Sequence, residues 1–146
     1  MTGEAREQLR RQLLSDEGLR LSAYLDSEGY WTIGVGRLID ERKGGGITAT
    51  EALALLENDI GTITRDLQAH YPWFAWLDDV RQAVVCNLRF NLGSGGFAGF
   101  RQMIAALERR DYATAAVEMR SSRWSEQVGP RATRLATMMA SGRWPT

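Results

Sequence analysis

The sequence of 146 residues predicts an α+β fold, in which a small N-terminal lobe holds a β-hairpin or three-stranded antiparallel sheet. A long helix follows, and then a larger, all-helical C-terminal lobe. Three observations predict this arrangement. Short extended runs at 19–39 are interrupted by a turn sequence, a capping-box pattern opens a long helical stretch at residue 48, and helical patterns follow from residue 79.

The N-terminal part predicts one helix and one hairpin. A helix is predicted over 3–15, because Leu9, Leu13 and Leu14 form a narrow apolar stripe. Gly18 is a typical residue at which such a helix stops. The sequence Asp-Ser-Glu-Gly at 26–29 then favours a turn between two strands.

The next segment leads from the hairpin into the long helix. Gly34 and Gly36 in the second extended run indicate a twisted strand or a close approach to the backbone. Three glycines at 44–46 indicate a flexible joint. The pair Thr48 and Glu51 is typical of a capping box, and the helix it opens is predicted to run to about residue 67. Such a helix spans roughly 30 Å, enough to bridge two lobes.

The C-terminal part is predicted to be helical, with helices at about 79–92, 97–109, 111–121 and 130–140. Aromatic residues are predicted to form its core: Trp73, Phe74, Trp76, Phe90, Phe97, Phe100, Tyr112 and Trp124. The chain is therefore interpreted as a single domain of 1–146, with a hairpin lobe at about 16–60 and a helical lobe formed by about 1–15 and 61–146.

Composition and charge limit the function classes. The content of 44% hydrophobic and 25% charged residues is that of a soluble globular protein. The formal net charge is zero, so no global basic field favours nucleic acid or an anionic membrane. Charge is uneven, however, with −4 over 1–100 and +4 over 101–146. The basic third is either a solvated face or a surface that attracts an anionic polymer such as peptidoglycan or outer-membrane saccharide.

Cysteine and histidine usage excludes other chemistries. Cys86 is the only cysteine, so no internal disulfide is possible, and its apolar setting predicts a buried, inert thiol. His70 is the only histidine, which excludes a His-rich metal site and disfavours a Ser-His-Asp triad. The charged N-terminal stretch holds no signal peptide or membrane anchor, so we expect a cytoplasmic chain without stable membrane insertion.

Three polar residues on three local structures are the candidates for catalysis. Glu17 lies at the predicted helix end, Asp26 in the turn and Thr32 in the second strand. The apolar stripe before Glu17 could desolvate its carboxyl, which suits a general acid, whereas the hydrated turn around Asp26 suits a base. Taken alone, Glu17 could equally be a helix-end charge and Asp26 a turn-forming residue.

The whole string at 16–38, DEGLRLSAYLDSEGYWTIGVGRL, resembles the active-site segment of phage lysozymes of the T-even coliphage kind. The resemblance continues in the same order at 87–93 (NLRFNLG), 99–100 (GF), 122–124 (SRW) and 130–134 (PRATR). It therefore covers nearly the whole chain, and implies a lysozyme-like fold.

The resemblance implies an endolysin, a muramidase that hydrolyses the β-1,4 bond between N-acetylmuramic acid and N-acetylglucosamine in peptidoglycan. Glu17 would protonate the leaving oxygen, and Asp26 and Thr32 would place a water on the opposite face, giving inversion. No metal and no organic cofactor is implied. Host lysis would need release from the cytoplasm through a separate holin, and the enzyme is expected to be a monomer that does not bind nucleic acid.

The resemblance also implies substrate contacts, at Leu38, Phe90, Asn91, Met103, Glu118 and Arg131. Arg131 would orient Glu17, while Leu38 and Phe90 would line the saccharide cleft. Met103 and Glu118 stand where the family carries small polar or amide residues, so these subsites depart from its pattern. The linker at about 40–46 is shorter than in the T-even member, which should open the cleft or change how it closes.

Arg37 replaces a family histidine, and by the same resemblance we expect it to pair with Asp59. Two alternative functions remain open at this point. A lytic transglycosylase would cleave the same bond without water and would need only Glu17. A wall-binding or tail-associated module would have lost the chemistry altogether. Asp26 and Thr32 in register disfavour the first alternative, and the intact set of three disfavours the second.

Overall fold

A computed structural model of the protein describes residues 1–44 and 46–145. The chain forms two compact units, Met1–Ala54 and Leu55–Thr146, and the boundary falls within the long helix. The N-terminal helix belongs to the first unit by its contacts. The interpretation as one domain, with residues 1–15 in the helical lobe, stays a prediction.

Helix α1 spans Gly3–Glu17, two residues beyond its predicted end. The Thr2 hydroxyl caps it by accepting from the Ala5 N–H at 3.2 Å. Gly18 ends it with a φ of 74°, and its N–H donates to the Leu14 carbonyl, which confirms the predicted stop. The apolar stripe of α1 stays exposed, since no residue of this helix is buried.

A three-stranded antiparallel sheet follows, as predicted. It consists of β1 (Arg20–Leu25), β2 (Trp31–Gly34) and β3 (Arg37–Leu38), in the order β1-β2-β3. The centre of the sheet is Thr32 on β2, which faces Tyr24 on β1 and Leu38 on β3. The register shifts between Arg20 and Tyr24, so β1 carries a local irregularity there.

Helix α2 spans Ala49–His70 without interruption, which confirms the predicted long helix. Its capping box is reciprocal: Glu51 accepts from the Thr48 N–H at 2.9 Å, and the Thr48 hydroxyl accepts from the Glu51 N–H at 3.2 Å. Before it, Asp40 binds both the backbone N–H and the guanidinium of Arg42. The predicted joint at 44–46 includes Gly45, which lies outside the described residues.

The second unit holds a short 3-10 helix at Pro72–Trp76 and five further helices. These are α3 (Asp79–Ala98), α4 (Arg101–Glu108), α5 (Tyr112–Arg120), α6 (Arg123–Val128) and α7 (Pro130–Ser141). Helix α3 continues past its predicted end through a break at Gly93, where φ is 72°. The predicted boundary at 92 therefore marks a kink within one element, and the helix predicted over 97–109 divides at Gly99 and Phe100. Helix α6 was not predicted, because six residues are too few for a helical periodicity to show.

The core of the second unit is an apolar cluster drawn from its 3-10 helix and all of its α-helices. Four of the predicted aromatic residues are buried in it: Trp73, Phe74, Phe97 and Trp124. Phe100 and Tyr112 are partly buried against it. Two predictions were wrong, because Trp76 and Phe90 are 56% and 48% exposed. Trp76 ends the 3-10 helix and Phe90 lies within α3, and an aromatic residue type alone does not show whether the side chain faces the core or the solvent.

One arginine ties the end of α7 to α3. Arg81 donates from Nε to the Met139 carbonyl at 2.8 Å and from Nη2 to the Ala140 carbonyl at 3.1 Å. Its guanidinium lies 3.8 Å from the centre of the Tyr112 ring and pairs with Asp78 at 2.6 Å. These carbonyls are otherwise left unpaired at a helix C-terminus, so Arg81 serves as a distant cap.

Among the residues 1–44 and 46–145, no helix combines the length and the apolar character needed to cross a bilayer. Within the same residues, no group of three or more His, Cys, Asp or Glu side chains is arranged to hold a metal ion.

Candidate active site

Glu17 is the last residue of α1, and its side chain folds over the turn between β2 and β3. A Cβ built on Gly36 would lie 2.5 Å from Oε2 of Glu17 and 2.7 Å from its Cδ. Gly36 also has a φ of 66°, which glycine adopts without strain. The glycine thus makes room for the carboxylate, and the predicted close approach to the backbone occurs at this residue. Glu17 itself is exposed, so the leucines of α1 do not desolvate it as expected.

Asp26 closes the turn between β1 and β2. Its Oδ1 accepts from the backbone N–H of Glu28 at 2.9 Å and from that of Tyr30 at 2.8 Å. The backbone of Asp26 adds two bonds, from its own N–H to the Tyr30 carbonyl and from the Gly29 N–H to its carbonyl. One carboxylate oxygen is therefore fixed by the turn, and Oδ2 has no hydrogen-bond partner among the described residues.

Thr32 is the buried polar residue of the sheet, with 3% of its surface exposed. Its hydroxyl donates to the Tyr30 carbonyl at 3.2 Å, which leaves the oxygen lone pairs free to accept. Tyr30 also supplies one of the N–H groups that hold Asp26. The backbone of Tyr30 therefore fixes both the Asp26 carboxylate and the Thr32 hydroxyl.

The two carboxylates are held at opposite ends of β2. Asp26 lies in the turn before this strand, and Glu17 covers Gly36 in the turn after it. A strand of four residues spans roughly 10 Å. The two acids therefore flank the same strand and are separated by its length. Such an arrangement can deliver a proton from one acid and position a water with the other.

Leu38 and Arg37 form the edge strand β3. Leu38 is 46% exposed and pairs with Thr32 across the sheet. Arg37 contacts Glu51 at 4.0 Å, on the first turn of α2. Arg37 thus pairs with Glu51 within the first unit. The expected pair with Asp59, which belongs to the second unit, stays a prediction.

In the second unit, α2, α3 and α7 enclose an apolar cavity of about 500 Å³. Phe90 and Arg131 both line it, and Arg131 donates from Nε and Nη2 to Oδ1 of Asn87 at 3.0 and 2.7 Å. Asn87 was not predicted as a functional residue, although it opens the motif at 87–93. The expected role of Arg131 in orienting Glu17 stays a prediction.

Cys86 and His70 have structural settings. Cys86 lines the same cavity, and burial raises the pKa of its thiol, which keeps it protonated and unreactive. The Thr64 hydroxyl lies 3.8 Å from its sulfur. His70 ends α2, with Nδ1 3.2 Å from the Asp66 carboxylate.

Asn91, the next predicted contact, lies close to the break in α3. Its Oδ1 accepts from the indole Nε1–H of Trp124 at 2.7 Å. This bond joins α3 to α6 across 33 residues of sequence. Trp124 is buried, whereas Asn91 is exposed, so the amide has one anchored side and one accessible side.

Met103 and Glu118 line a second cavity of about 380 Å³ between α4 and α5. Met103 is buried with 1% exposed, so it forms the floor, while Glu118 is half-buried at the wall. The structure thus brings these two predicted residues together, in a cavity separate from the one at Phe90.

The sequence was also compared with known proteins. The phage lysozyme family matches residues 15–139 of this chain, a range that includes Glu17, Asp26, Thr32 and Arg131. The chain belongs to the phage lysozyme family. The resemblance inferred from the motifs is thereby confirmed.

Individual phage lysozyme relatives differ in how much of their length they share with this chain. The pre-baseplate central spike protein Gp5 of Enterobacteria phage T4 is 34% identical over 93% of this chain, which covers 27% of the spike protein. Probable T4-type lysozyme 1 of Dictyostelium discoideum is 28% identical, with 92% and 94% covered. An endolysin of Salmonella phage P22 is 33% identical, with 72% of this chain and 73% of the endolysin covered. The chain thus spans about a quarter of the spike protein but nearly all of the Dictyostelium protein.

Proposed function

We propose that this phage lysozyme hydrolyses the β-1,4 bond between N-acetylmuramic acid and N-acetylglucosamine in peptidoglycan, with inversion at the anomeric carbon. The observation that carries the proposal is the pair of acids at the two ends of β2: the Glu17 side chain packs against Gly36, and the turn holds Asp26. Membership of the phage lysozyme family supports the reaction class.

Glu17 acts as the general acid. Gly36 leaves room for its carboxyl group beside the backbone, which restricts where the acidic proton can be delivered. A hydrogen bond of the protonated carboxyl to the glycosidic oxygen then allows the leaving sugar to depart as an alcohol.

Asp26 and Thr32 position the water. Oδ2 of Asp26 is free to accept one water hydrogen, since Oδ1 is already saturated by two backbone N–H groups. The Thr32 oxygen can accept the other, because its own hydrogen is directed at the Tyr30 carbonyl. Asp26 takes a proton as the water attacks the anomeric carbon from the face opposite the leaving group.

Exposed apolar surface and cavity residues are proposed to hold the sugar chain. Leu38 and Phe90 are 46% and 48% exposed, so Leu38 offers an apolar side chain and Phe90 an aromatic ring to a sugar. Asn91 and Glu118 offer polar groups at accessible positions, and Met103 supplies an apolar floor beneath Glu118. Arg131 is half-buried and anchored by Asn87.

The proposed biological role is host lysis as an endolysin, with a separate holin releasing a monomeric enzyme from the host cytoplasm. The matched relative from Salmonella phage P22 is named an endolysin, which supports this role. A role within a virion is the second candidate, because the spike protein Gp5 is 34% identical over 93% of this chain. Immunoblots of purified virions and of infected-cell lysates distinguish the two, since an endolysin is absent from the virion.

The reaction is tested by a turbidity assay on permeabilised Gram-negative cells, with mass analysis of the released fragments. Hydrolysis adds one water to each cleaved bond, whereas a lytic transglycosylase releases anhydro ends that lack it. We expect hydrated products. Anhydro ends would assign transglycosylase chemistry, and binding to cell walls without any release would assign a wall-binding module.

A further inference from the structure

The C-terminal end of α7 and the chain that follows it form a small cationic groove in the second unit. The groove has a volume of about 310 Å³. Helix α7 contributes Arg134, Thr137, Met138 and Ser141, and the following segment contributes Arg143, Trp144 and Pro145. Residues 134, 137, 138 and 141 share one helix face by their spacing. We refer to these seven residues as the C-terminal groove.

The charge of the C-terminal groove is not neutralised by neighbours. Arg134 and Arg143 are exposed, and within the described part of the chain neither guanidinium forms an ion pair or a hydrogen bond; the backbone N–H of Arg143 donates to the Ser141 hydroxyl at 3.2 Å. Residues 127–146 contain three arginines and no acid. Asp78, which lies beside the end of α7 through Arg81, is itself paired with that arginine at 2.6 Å.

The helix end does not cancel this positive charge. A helix C-terminus carries a partial negative charge on its last carbonyl groups. Here Arg81 binds the Met139 and Ala140 carbonyls, and the Gly142 N–H binds that of Met138 at 2.8 Å. These carbonyls are therefore already paired, and the groove offers an anion two guanidinium groups and the Ser141 hydroxyl.

Trp144 gives the groove a second chemical property. Its indole is 59% exposed, and Met138 beneath the groove is buried in the core. An exposed aromatic face next to hydrogen-bonding groups is suited to the C–H face of a sugar ring. Guanidinium groups bind carboxylates through paired, charge-assisted hydrogen bonds. These two properties of the groove together fit a ligand that has a ring with an apolar face and an attached carboxylate.

We propose that the C-terminal groove binds a carboxylate-bearing sugar, with the ring against Trp144 and the carboxylate between Arg134 and Arg143. Its volume suits one or two sugar rings, while a nucleic acid would need a longer track of cations and the whole chain has no net charge. The biological meaning rests on the proposed function, because N-acetylmuramic acid carries a free lactyl carboxylate wherever its stem peptide has been removed from the glycan strand; where the peptide is present, this carboxyl is in an amide bond. The groove would hold the wall at a point outside the cleavage site.

The test uses the full chain with Glu17→Gln, so that no substrate is consumed. N-acetylmuramic acid is titrated against the ¹⁵N-labelled protein, and N-acetylglucosamine, which lacks the carboxylate, is the matched neutral probe. Trp144→Phe assigns the indole signal. We expect shifts of the Trp144 indole and of the Ser141 and Arg143 amides with the acid, and at least about fivefold weaker binding of the neutral sugar.

Arg134→Gln with Arg143→Gln should weaken binding of the acid at these signals by at least about tenfold. Arg109→Gln with Arg123→Gln removes the same charge from exposed positions outside the groove, and should leave the affinity unchanged. Equal binding of both sugars, equal effects of both double variants, or equal shifts with inorganic phosphate would overturn the proposal. Lysis by the wild-type chain is measured in parallel. If the groove does not bind the acid but lysis is normal, this inference is rejected and the proposed function is not.

Discussion

The guanidinium of Arg81 occupies the space that a side chain on Gly142 would need. A Cβ on Gly142 would lie 2.6 Å from Nη1 of Arg81 and 3.0 Å from its Cζ. Arg81 cannot easily withdraw, because two carbonyls of α7 and the ring of Tyr112 hold it. Gly142 is also left-handed, with φ 65° and ψ 27°. Gly142 thus allows the left-handed backbone at the end of α7 and also leaves space for the Arg81 guanidinium that caps this helix.

Gly142→Ala should lower the free energy of unfolding by about 1–2 kcal/mol, partly through the left-handed backbone and partly through the displaced arginine. Urea unfolding measures it. In an Arg81→Ala background the same substitution should cost only about 1 kcal/mol, since the backbone cost alone remains. Equal costs in both backgrounds would contradict the steric explanation.

Glu17→Gln should abolish wall lysis and leave the fold intact, because an amide keeps the shape of the carboxyl but cannot donate the required proton. Turbidity loss and thermal unfolding are measured together. Glu4→Gln is the matched control, since it removes an exposed acid from the first turn of the same helix and should change neither. Retention of a tenth of the wild-type lysis by Glu17→Gln would show that another group is the acid.

Gly36→Ala should reduce lysis by about a hundredfold, because its Cβ would displace the Glu17 carboxyl from its position. Gly34→Ala is an unusually close control. Both glycines have positive φ, 66° and 70°, but nothing lies within 4 Å of a Cβ on Gly34. The two variants should therefore lose similar stability, while Gly36→Ala alone loses most of its activity. Similar activities of the two variants would show that Gly36 does not determine the position of the Glu17 carboxyl.

Asp40 should titrate abnormally. Hydrogen bonds from the side chain and then the backbone N–H of Arg42 lower the pKa of Asp40 to about 2, below its unfolded value near 3.9. Because the folded value is the lower one, this interaction stabilises the fold above about pH 4 and is lost as the pH falls through about 2.

Carbon-detected NMR titration of the Asp40 carboxyl measures this pKa directly. Arg42→Gln should move the pKa upward towards the ordinary range, whereas Lys43→Gln, which changes a neighbouring charge, should leave it low. An unchanged pKa in Arg42→Gln would mean that the backbone N–H, which that variant keeps, is sufficient.

The parts of the fold that local chemistry determines could be predicted from the sequence. Gly18 ends α1, Asp26 forms its turn, and Thr48 with Glu51 starts α2, and each of these signals needs only a few adjacent residues. The three candidate catalytic residues lie within one such stretch. For this reason their local structures could be predicted before any tertiary contact was known.

Contacts between distant segments could not be predicted in this way. Arg81 reaches a carbonyl 58 residues away, and Arg131 reaches Asn87 across 44 residues. The exposure of Glu17 and the ion pair between Arg37 and Glu51 likewise depend on how the elements pack. The periodicity of apolar residues gives no information about such packing. Gly36 is an intermediate case, since its sequence position indicated a close approach but not the group that makes it.

The bond between Trp124 and Asn91 restricts what Asn91 can recognise. An indole N–H only donates, so the amide must present its oxygen to Trp124, at 2.7 Å, and its NH₂ group to the other side. Any ligand of Asn91 would therefore meet a donor of hydrogen bonds. In the proposed contact with a sugar, this donor favours acceptor oxygens such as an acetamido carbonyl, and the buried tryptophan sets that polarity from the opposite side of the amide.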